Sequence, residues 1–356
     1  MKSILLTSTA LVAFAGAAAA DGHASVAFGG SATLGANTTA GVNTVETTAL
    51  TWEVDLSTTA TAALDNGLTA SATFGLNIAE NAVGTGVGNT AVTASGLVLK
   101  LASETASLSF GEIENVAEDN FGDVDGGTTI GFTEAVDDQA VLAGSVTMAG
   151  FTAQASMEAN AANDALENVQ VHIGGTFGSI NVEAAFEDNT ANADPVMGAA
   201  VSTTFAGATV TGSVVTDGTE TSSGIAISYP FGPVTVGAFY SLNDVAEDNF
   251  GGDVAYAANG ITVAADVEMN GTTDVMSWNV DTTYDVGNGI GVLAGANGTD
   301  ATGANTTFYV AGTYDLGGGA AVLMSFADDG DVATVGEDLG DPEFNEGLTI
   351  EVSFAF

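Results

Sequence analysis

The sequence predicts an all-β protein, a transmembrane antiparallel β-barrel with its apolar surface toward lipid and its polar surface toward water. Three observations predict this fold. Apolar and polar residues alternate along most of the chain, glycine-rich turns alternate with longer acidic connections, and 46% of the residues are hydrophobic although Asp and Glu number 45. A barrel in lipid accommodates both kinds of residue because its two faces meet different solvents.

The N-terminal stretch predicts export. Residues 1–20 combine Lys2, a short apolar run and small residues that end in Ala18-x-Ala20. This is the pattern of a signal peptide, so we expect cleavage near Ala20 and a mature barrel domain over residues 21–356. The apolar run is shorter than the roughly twenty residues that a membrane helix needs.

Charge and composition exclude other classes of protein. Lys and Arg together number two, and the formal net charge is −43. Phosphate backbones repel such a chain, so we expect no nucleic-acid binding. The chain has no cysteine and only two histidines, which lie far apart in the sequence. These residues do not support a Ser-His or Cys-His nucleophile, so we expect no enzyme activity.

The predicted strands are about ten residues long. In LTWEVDLS, residues 50–57, apolar residues occupy every second position and polar ones fill the gaps. Successive strand residues point to opposite faces, so this pattern predicts a strand with one apolar face. Counting every such alternation gives about twenty strands. Further examples are LTASATFGLNI (68–78), SINVEAAFE (179–187) and GIAISYPF (224–231).

Two kinds of connection alternate between these strands. The short kind includes Asn259-Gly260 and Asn288-Gly289, whose residues tolerate the positive φ angles of tight hairpins. The long kind carries acids and includes residues 79–92, 112–138 and 327–346. Tight turns at one end and long loops at the other are typical of an outer-membrane barrel.

The chain ends in LTIEVSFAF, a predicted strand with one fully apolar face. In hydrocarbon every backbone polar group needs a partner, and only a closed barrel supplies one to every strand. We therefore expect this segment to be a strand of a closed barrel, with its apolar face toward lipid. Its apolar face consists of Leu348, Ile350, Val352, Phe354 and Phe356.

With these features the chain resembles the general diffusion porins of alphaproteobacteria, which are Gram-negative outer-membrane proteins. The terminal LTIEVSFAF resembles the closing-strand signal that such proteins present to the barrel-assembly machinery. A second matching region is LSFGEIENVAEDNFGDVDGGTTIGF, Leu108 to Phe132. In these porins the loop after the fifth strand folds inward and constricts the pore. Our fifth predicted strand is Ala106 to Gly111, so the position agrees.

The resemblance implies a homotrimer of sixteen-stranded barrels, fewer strands than the alternation count. It also implies a water-filled channel in the outer membrane for passive diffusion of ions and small hydrophilic solutes. The partners are then outer-membrane lipids, the barrel-assembly machinery during biogenesis, and the solutes and cations themselves.

The predicted constriction loop, about residues 112–137, is rich in acids. An acidic loop in a water-filled lumen attracts cations, because low-dielectric walls strengthen the local field. The alternative is a solvated surface loop, to which runs of acids usually belong. The candidate pore residues on this loop are Glu112, Glu114, Glu118, Asp119, Asp123 and Asp125.

Three more candidate pore residues lie on predicted strands. Related porins set arginines against the acidic loop, but this sequence contains no arginine. Lys100, in LVLKL, points away from its leucine neighbours and so toward the lumen. Glu53 and Asp55 also face inward in the predicted strand. With the basic wall missing, we predict a cation-selective pore.

No cofactor is required by this interpretation, although calcium would neutralise crowded carboxylates. The candidate ligands are Asp119, Asp123 and Asp125, and a second acidic loop carries Asp328, Asp329 and Asp331. A different function also fits the acid-rich composition, namely a secreted calcium-stabilised surface-layer or adhesin-type protein. The glycine-rich nonapeptide repeats of calcium β-helices are absent from the sequence, however.

Overall fold

A computed structural model describes residues 24–40, 46–80, 90–124, 130–135, 139–159, 166–189, 194–243, 248–271, 273–328, 338–339 and 344–356. These residues form β-strands and one short helix, α1 (Val116–Asn120). None of the described residues belongs to a helix long and apolar enough to cross a membrane. The predicted signal peptide lies outside the described residues.

Twenty strands pair antiparallel in a single ring. Consecutive strands are neighbours from β1 to β19, and β22 pairs with both β19 and β1, which closes the ring. The two-residue strands β20 (Asp338–Leu339) and β21 (Phe344–Asn345) pair separately with each other. The ring contains β1 (Ala24–Ala40), β2 (Glu46–Ala63), β3 (Thr69–Glu80), β4 (Thr90–Ala102), β5 (Ala106–Gly111), β6 (Ala140–Met148), β7 (Phe151–Ala159), β8 (Leu166–Phe177), β9 (Ile180–Asp188), β10 (Val196–Phe205), β11 (Ala208–Thr216), β12 (Thr221–Phe231), β13 (Val234–Asn243), β14 (Asn249–Ala258), β15 (Ile261–Asn270), β16 (Val275–Gly287), β17 (Ile290–Thr299), β18 (Thr306–Gly317), β19 (Ala320–Asp328) and β22 (Gly347–Ala355).

The ring corrects the strand number that the family resemblance implies. Sixteen is wrong, and the alternation count of about twenty agrees with the structure. Each alternating segment finds two antiparallel neighbours, and the two-residue turns leave enough chain for the extra strands. With strands about 4.8 Å apart and tilted by about 40°, twenty strands give a barrel roughly 40 Å across, against roughly 32 Å for sixteen.

Tight turns occupy one end of the barrel and longer connections the other, as the sequence predicts. Both residues of the Asn259-Gly260 and Asn288-Gly289 turns have positive φ angles, as do those of Ala149-Gly150 and Ala206-Gly207. Positive φ at both central residues is the requirement of a type I′ turn, whose twist matches that of the flanking strands. The connections β3–β4, β5–β6 and β19–β22 lie at the opposite end.

The two faces of the ring carry different side chains. Apolar residues point outward and remain exposed on the isolated barrel, for example Leu50 at 69% and Phe205 at 79%. Residues in the opposite phase, such as Gln170 and Ser213, point inward. Monomers in water rarely expose apolar surface on this scale, whereas lipid is a suitable solvent for it.

The last strand completes the ring beside the first. The backbone N–H of Phe356 donates to the Gly30 carbonyl at 2.9 Å, and the Gly30 N–H donates to the Phe356 carbonyl at 2.8 Å. The Phe356 ring lies so close to Gly30 that a Cβ there would approach it to 2.9 Å. Backbone pairing therefore continues to the final residue.

Candidate functional site

The connection between β5 and β6 lies against the inner face of the barrel. We call residues 112–124 and 130–135 the inner segment. Residues of six consecutive strands, β7 to β12, contact it. The alternation in β8 shows which face this is, because its outward residues are exposed while those between them are buried. The exposed set is Val169, Val171 and Ile173, and the buried set is Asn168, Gln170 and His172.

Wall side chains bind the start of α1. The first N–H groups of a helix have no acceptor within the helix. Here Ser156 Oγ accepts from the Val116 N–H at 3.1 Å, and Gln170 Oε1 accepts from the N–H groups of Ala117 and Glu118 at 2.9 and 3.1 Å. Strands β7 and β8 thus fix the position of a helix that is too short to be stable alone.

A buried carboxylate holds the far end of the inner segment. Glu187 of β9 is fully buried. Its Oε2 accepts from the Thr133 N–H at 2.7 Å and from Gln170 Nε2 at 3.1 Å, and its Oε1 accepts from the Thr133 hydroxyl at 2.5 Å. Gln170 Nε2 also donates to the Thr133 carbonyl at 2.8 Å. Gln170 therefore binds both parts of the inner segment, and the buried Glu187 carboxyl group has several hydrogen-bond donors around it.

Apolar contacts add to these hydrogen bonds. Phe121 and Phe132 of the inner segment meet edge to face, with ring centroids 5.2 Å apart. They pack against a buried cluster in which Ile130 contacts Val196 of β10 and Val215 of β11. The inner segment therefore turns its apolar side toward the wall.

Two glycines of the wall allow this close approach. A Cβ at Gly198 of β10 would lie 2.7 Å from the Phe121 ring, and one at Gly224 of β12 would lie 2.6 Å from the Val124 Cβ. A side chain at either position would force the inner segment to shift, most severely at Gly224, where the nearest atom is a Cβ. The Val124 N–H also donates to Ser213 Oγ at 2.9 Å.

The acids predicted on this connection remain on the less covered side of the inner segment. Glu112, Glu114 and Asp119 are exposed, and Glu118 and Asp123 are partly buried. The carboxylate of Glu112 accepts a hydrogen bond from the backbone N–H of Gly96. The sixth candidate, Asp125, lies outside the described residues.

Mutual repulsion of these acids is visible at Glu118. Burial raises the pKa of this carboxyl above its ordinary value, and the nearby charges of Glu114, Glu134 and Asp119 raise it further. Both effects disfavour the charged form. The inner segment therefore concentrates negative charge around Glu118.

The predicted strand residues lie on a different part of the wall. Lys100 of β4 is exposed, and its register neighbours are Ser71 of β3 and Ser109 of β5. Glu53 and Asp55 of β2 both accept hydrogen bonds from the Asn77 amide. The structure thus brings Glu53 and Asp55 together and places Lys100 two strands away from them.

Sequence reasoning missed further acids of the lumen wall. A crevice of about 480 Å³ beside the inner segment is lined by Asp123, Asp253, Asp266 and Glu268. Strand register places Asp253 directly opposite Asp266. Asp266 and Glu268 lie two residues apart in β15, whereas Asp253 of β14 and Asp123 of the inner segment are distant in the sequence, so only the folded structure shows that the four form a group. The one signal available in the sequence was that the strand acids occupy the alternating positions that carry polar side chains.

The described carboxylates do not fit a calcium site. Among the residues that the structure describes, no group of three or more His, Cys, Asp or Glu side chains is arranged to hold a metal ion. Asp119 accepts a hydrogen bond from Asn120 Nδ2 at 3.0 Å. Of the second acidic loop only Asp328 is described, because Asp329 and Asp331 lie outside the described residues.

Fold and site together define a membrane-spanning β-barrel with an acidic inner face. The sequence profile described as "Gram-negative porin" matches residues 7–333 of the chain. The chain therefore belongs to the Gram-negative porin family and is an outer-membrane porin, a channel protein rather than an enzyme.

Similar solved structures include engineered variants of the porin from Rhodopseudomonas blastica. One multiple mutant is 13% identical with a TM-score of 0.47, a triple mutant is 13% identical with a TM-score of 0.46, and a third variant is 14% identical with a TM-score of 0.47. Each alignment covers 93% of this chain and 100% of the other. No curated protein matches the chain.

Proposed function

We propose that this porin is a cation-selective channel for passive diffusion of ions and small hydrophilic solutes, and that the inner segment narrows its lumen. The observation that carries the proposal is the attachment of the inner segment to six wall strands with its acids on the uncovered side. Lys100 is the one Lys or Arg among the described residues. The fixed charge around the lumen is therefore strongly negative.

Screening determines how strongly this charge acts. The Debye length is about 10 Å at 0.1 M salt and about 3 Å at 1 M. At the lower concentration the field of the inner segment reaches across a narrowed lumen, so potassium is enriched and chloride is depleted. At the higher concentration the field is confined to the wall. Selectivity should therefore weaken as salt rises.

The test uses a variant with three neutralised acids, Glu114→Gln, Glu118→Gln and Asp119→Asn. Purified protein is reconstituted in planar bilayers, and the reversal potential is measured in a KCl gradient. We expect the triple variant to lose much of the potassium preference of the wild type. The matched control is Glu104→Gln in the turn after β4, outside the inner segment, which should retain it. An unchanged reversal potential in the triple variant would contradict a filter at the inner segment.

The apolar outer face and the family resemblance support a homotrimer surrounded by outer-membrane lipid. Light scattering in detergent should give three chains per particle, and a monodisperse monomer would contradict this. The same resemblance supports recognition of Leu348, Ile350, Val352, Phe354 and Phe356 by the barrel-assembly machinery.

Calcium binding stays a prediction, because one candidate ligand, Asp125, lies outside the described residues. Ion selectivity as proposed requires no bound metal. A chelator that lowers the thermal melting temperature of the assembled protein would support a structural calcium site, and an unchanged temperature would count against it.

A further inference from the structure

A second part of the chain lies against the wall. Phe344, in the connection between β19 and β22, is buried, and its ring centroid is 4.8 Å from that of Tyr309 on β18. Ala311 and Ala327 complete the buried cluster. We call residues 344–346 the Phe344 segment.

The wall residues beneath Phe344 belong to the lumen face. Tyr309 is buried and stands between Phe308 and Val310, which are exposed outward. The Tyr309 hydroxyl donates to Asp281 Oδ1 at 2.5 Å. Asp281 lies two residues after Asn279 in β16, so both side chains point inward. The Asn279 amide donates a hydrogen bond to the Asp281 carboxylate. Phe344 therefore packs inside the barrel.

The inner wall is apolar at this place. Its inward rows here include Leu293, Tyr309 and Leu323, whereas the inward row of β3 carries Ser71, Thr73 and Asn77. Water is a poor solvent for such a patch. Phe344 removes part of it from water, which gives the Phe344 segment a defined position on the wall.

Two further features fix this position. The Asn37 amide of β1 donates to the Glu346 carbonyl and to the Thr349 hydroxyl, both at 2.9 Å. A Cβ at Gly295 of β17 would lie 2.4 Å from the Tyr309 ring, so a glycine is needed where this ring crosses the wall. The contacts that hold the Phe344 segment therefore come from β17, β18 and β19, with a hydrogen bond from β1.

The two inward parts lie on opposite walls. The inner segment rests on β7 to β12, and the Phe344 segment rests on β17 to β19. In the ring of twenty strands their centres are about nine strands apart, close to half the circumference. A barrel of this strand number has a wider lumen than one of sixteen. The inner segment alone therefore leaves more of the lumen open than it would in a sixteen-stranded barrel. An element on the opposite wall reduces the distance between the inner segment and that wall.

We propose that the Phe344 segment is a second pore-lining element, which limits the size of solutes that pass between it and the inner segment. This inference rests on the proposed channel function. The wall residues that hold the Phe344 segment are mainly apolar, so this segment limits the size of passing solutes. The acids of the inner segment instead discriminate between ions by charge. Phe344 and Tyr309 are the positioning residues of the second element.

The test compares Phe344→Ala with Phe344→Leu. Alanine removes the contact that holds the segment to the wall, so we expect a larger single-channel conductance and faster entry of larger neutral sugars in liposome swelling. The ratio of potassium to chloride permeability should stay the same, because no acid is removed. Leucine keeps an apolar contact and should behave nearly as the wild type. Heat-modifiable migration on gels shows that each variant is a folded barrel.

Cysteine labelling gives a second readout, because the chain contains no cysteine. Phe344 is buried and its neighbour Asn345 is exposed. A charged thiol reagent should label Phe344→Cys much more slowly than Asn345→Cys in the folded protein and at the same rate in denaturant. Equal rates in the folded protein, or unchanged conductance and sugar entry in Phe344→Ala, would overturn the inference. A wild type that forms no channel would instead overturn the proposed function itself.

Discussion

Individual side chains of the wall determine where the inner segment sits. Gln170 suits its place because an amide both accepts and donates, so one residue binds the helix N–H groups and the Thr133 carbonyl. The Glu187 carboxylate accepts hydrogen bonds from the Thr133 N–H, the Thr133 hydroxyl and the Gln170 amide. Neither role was predictable from sequence, because each residue is one of many polar residues in the inward phase of a strand.

Removing the Glu187 carboxylate tests this anchor. Glu187→Ala leaves the partly buried Thr133 N–H without its acceptor and removes one of the acceptors of the Gln170 amide, which should cost about 1–3 kcal/mol of the free energy of unfolding. Glu187→Gln keeps one acceptor oxygen and should cost less. Urea unfolding in lipid vesicles measures both. An alanine variant as stable as the wild type would show that Glu187 does not hold the inner segment.

Protonation of Glu118 gives a pH dependence. Its folded-state pKa is raised by burial and by Glu114, Glu134 and Asp119, so it loses its charge at a higher pH than an ordinary glutamate. The folded state binds this proton more tightly than the unfolded state, so stability rises as pH falls through the folded-state pKa toward 4.5.

The ion selectivity of the channel should respond to the same protonation of Glu118. Potassium preference should decline in that pH window, and Glu118→Gln should remove this part of the decline. Reversal potentials recorded between neutral pH and pH 4 provide the check. Identical pH profiles in the two proteins would contradict the assignment.

Among the elements, the inner segment depends on glycines of β10 and β12. Gly224→Ala places a methyl group 2.6 Å from the Val124 Cβ, so the inner segment or the strand must shift. Such overpacking typically costs about 1–3 kcal/mol, and we expect altered single-channel conductance as well. Gly312→Ala is the matched control, because nothing lies within 4 Å of the added Cβ. If the two variants have the same stability and the same conductance, the inner segment does not lie in close contact with Gly224.

The closing strand permits a second test at the same scale. Deleting Phe356 removes both of its backbone hydrogen bonds to Gly30, at the seam between β22 and β1. The fraction of protein that assembles into a heat-modifiable barrel should fall. Phe205→Ala, at an exposed aromatic on β10 far from the seam, should assemble normally. If the truncated chain assembles as well as this control, the last residue is not needed for closure.

Strands and turns were predictable because their signals are local. Alternation identified the strands, and Asn-Gly pairs identified turns that have positive φ angles. Sixteen strands was wrong because that number came from relatives rather than from the segments of this chain. The Phe344 segment was missed because the acids of its loop suggested calcium. The wall that holds it includes β19, where residues 320–324 are apolar on both faces and so do not show which face points inward.

For the whole molecule, width and charge must be considered together. A barrel roughly 40 Å across has about half as much area again as one of 32 Å, estimated from strand spacing and tilt. At physiological salt the Debye length is about 8 Å, so dissolved ions would screen the wall charges from the centre of an open lumen of that width. The inner segment carries its acids away from the wall, so we expect these acids to act on passing ions, whereas the Phe344 segment on the opposite wall is expected to limit solute size. A wide barrel could in this way still conduct selectively.

The most direct measurement is the reversal potential of the wild-type channel in a tenfold KCl gradient, recorded at low and at high mean salt. A lipid-facing barrel around an acidic, narrowed lumen predicts potassium preference at low salt that weakens at high salt. A potential near zero at low salt, or one of the sign that chloride preference gives, would contradict this account.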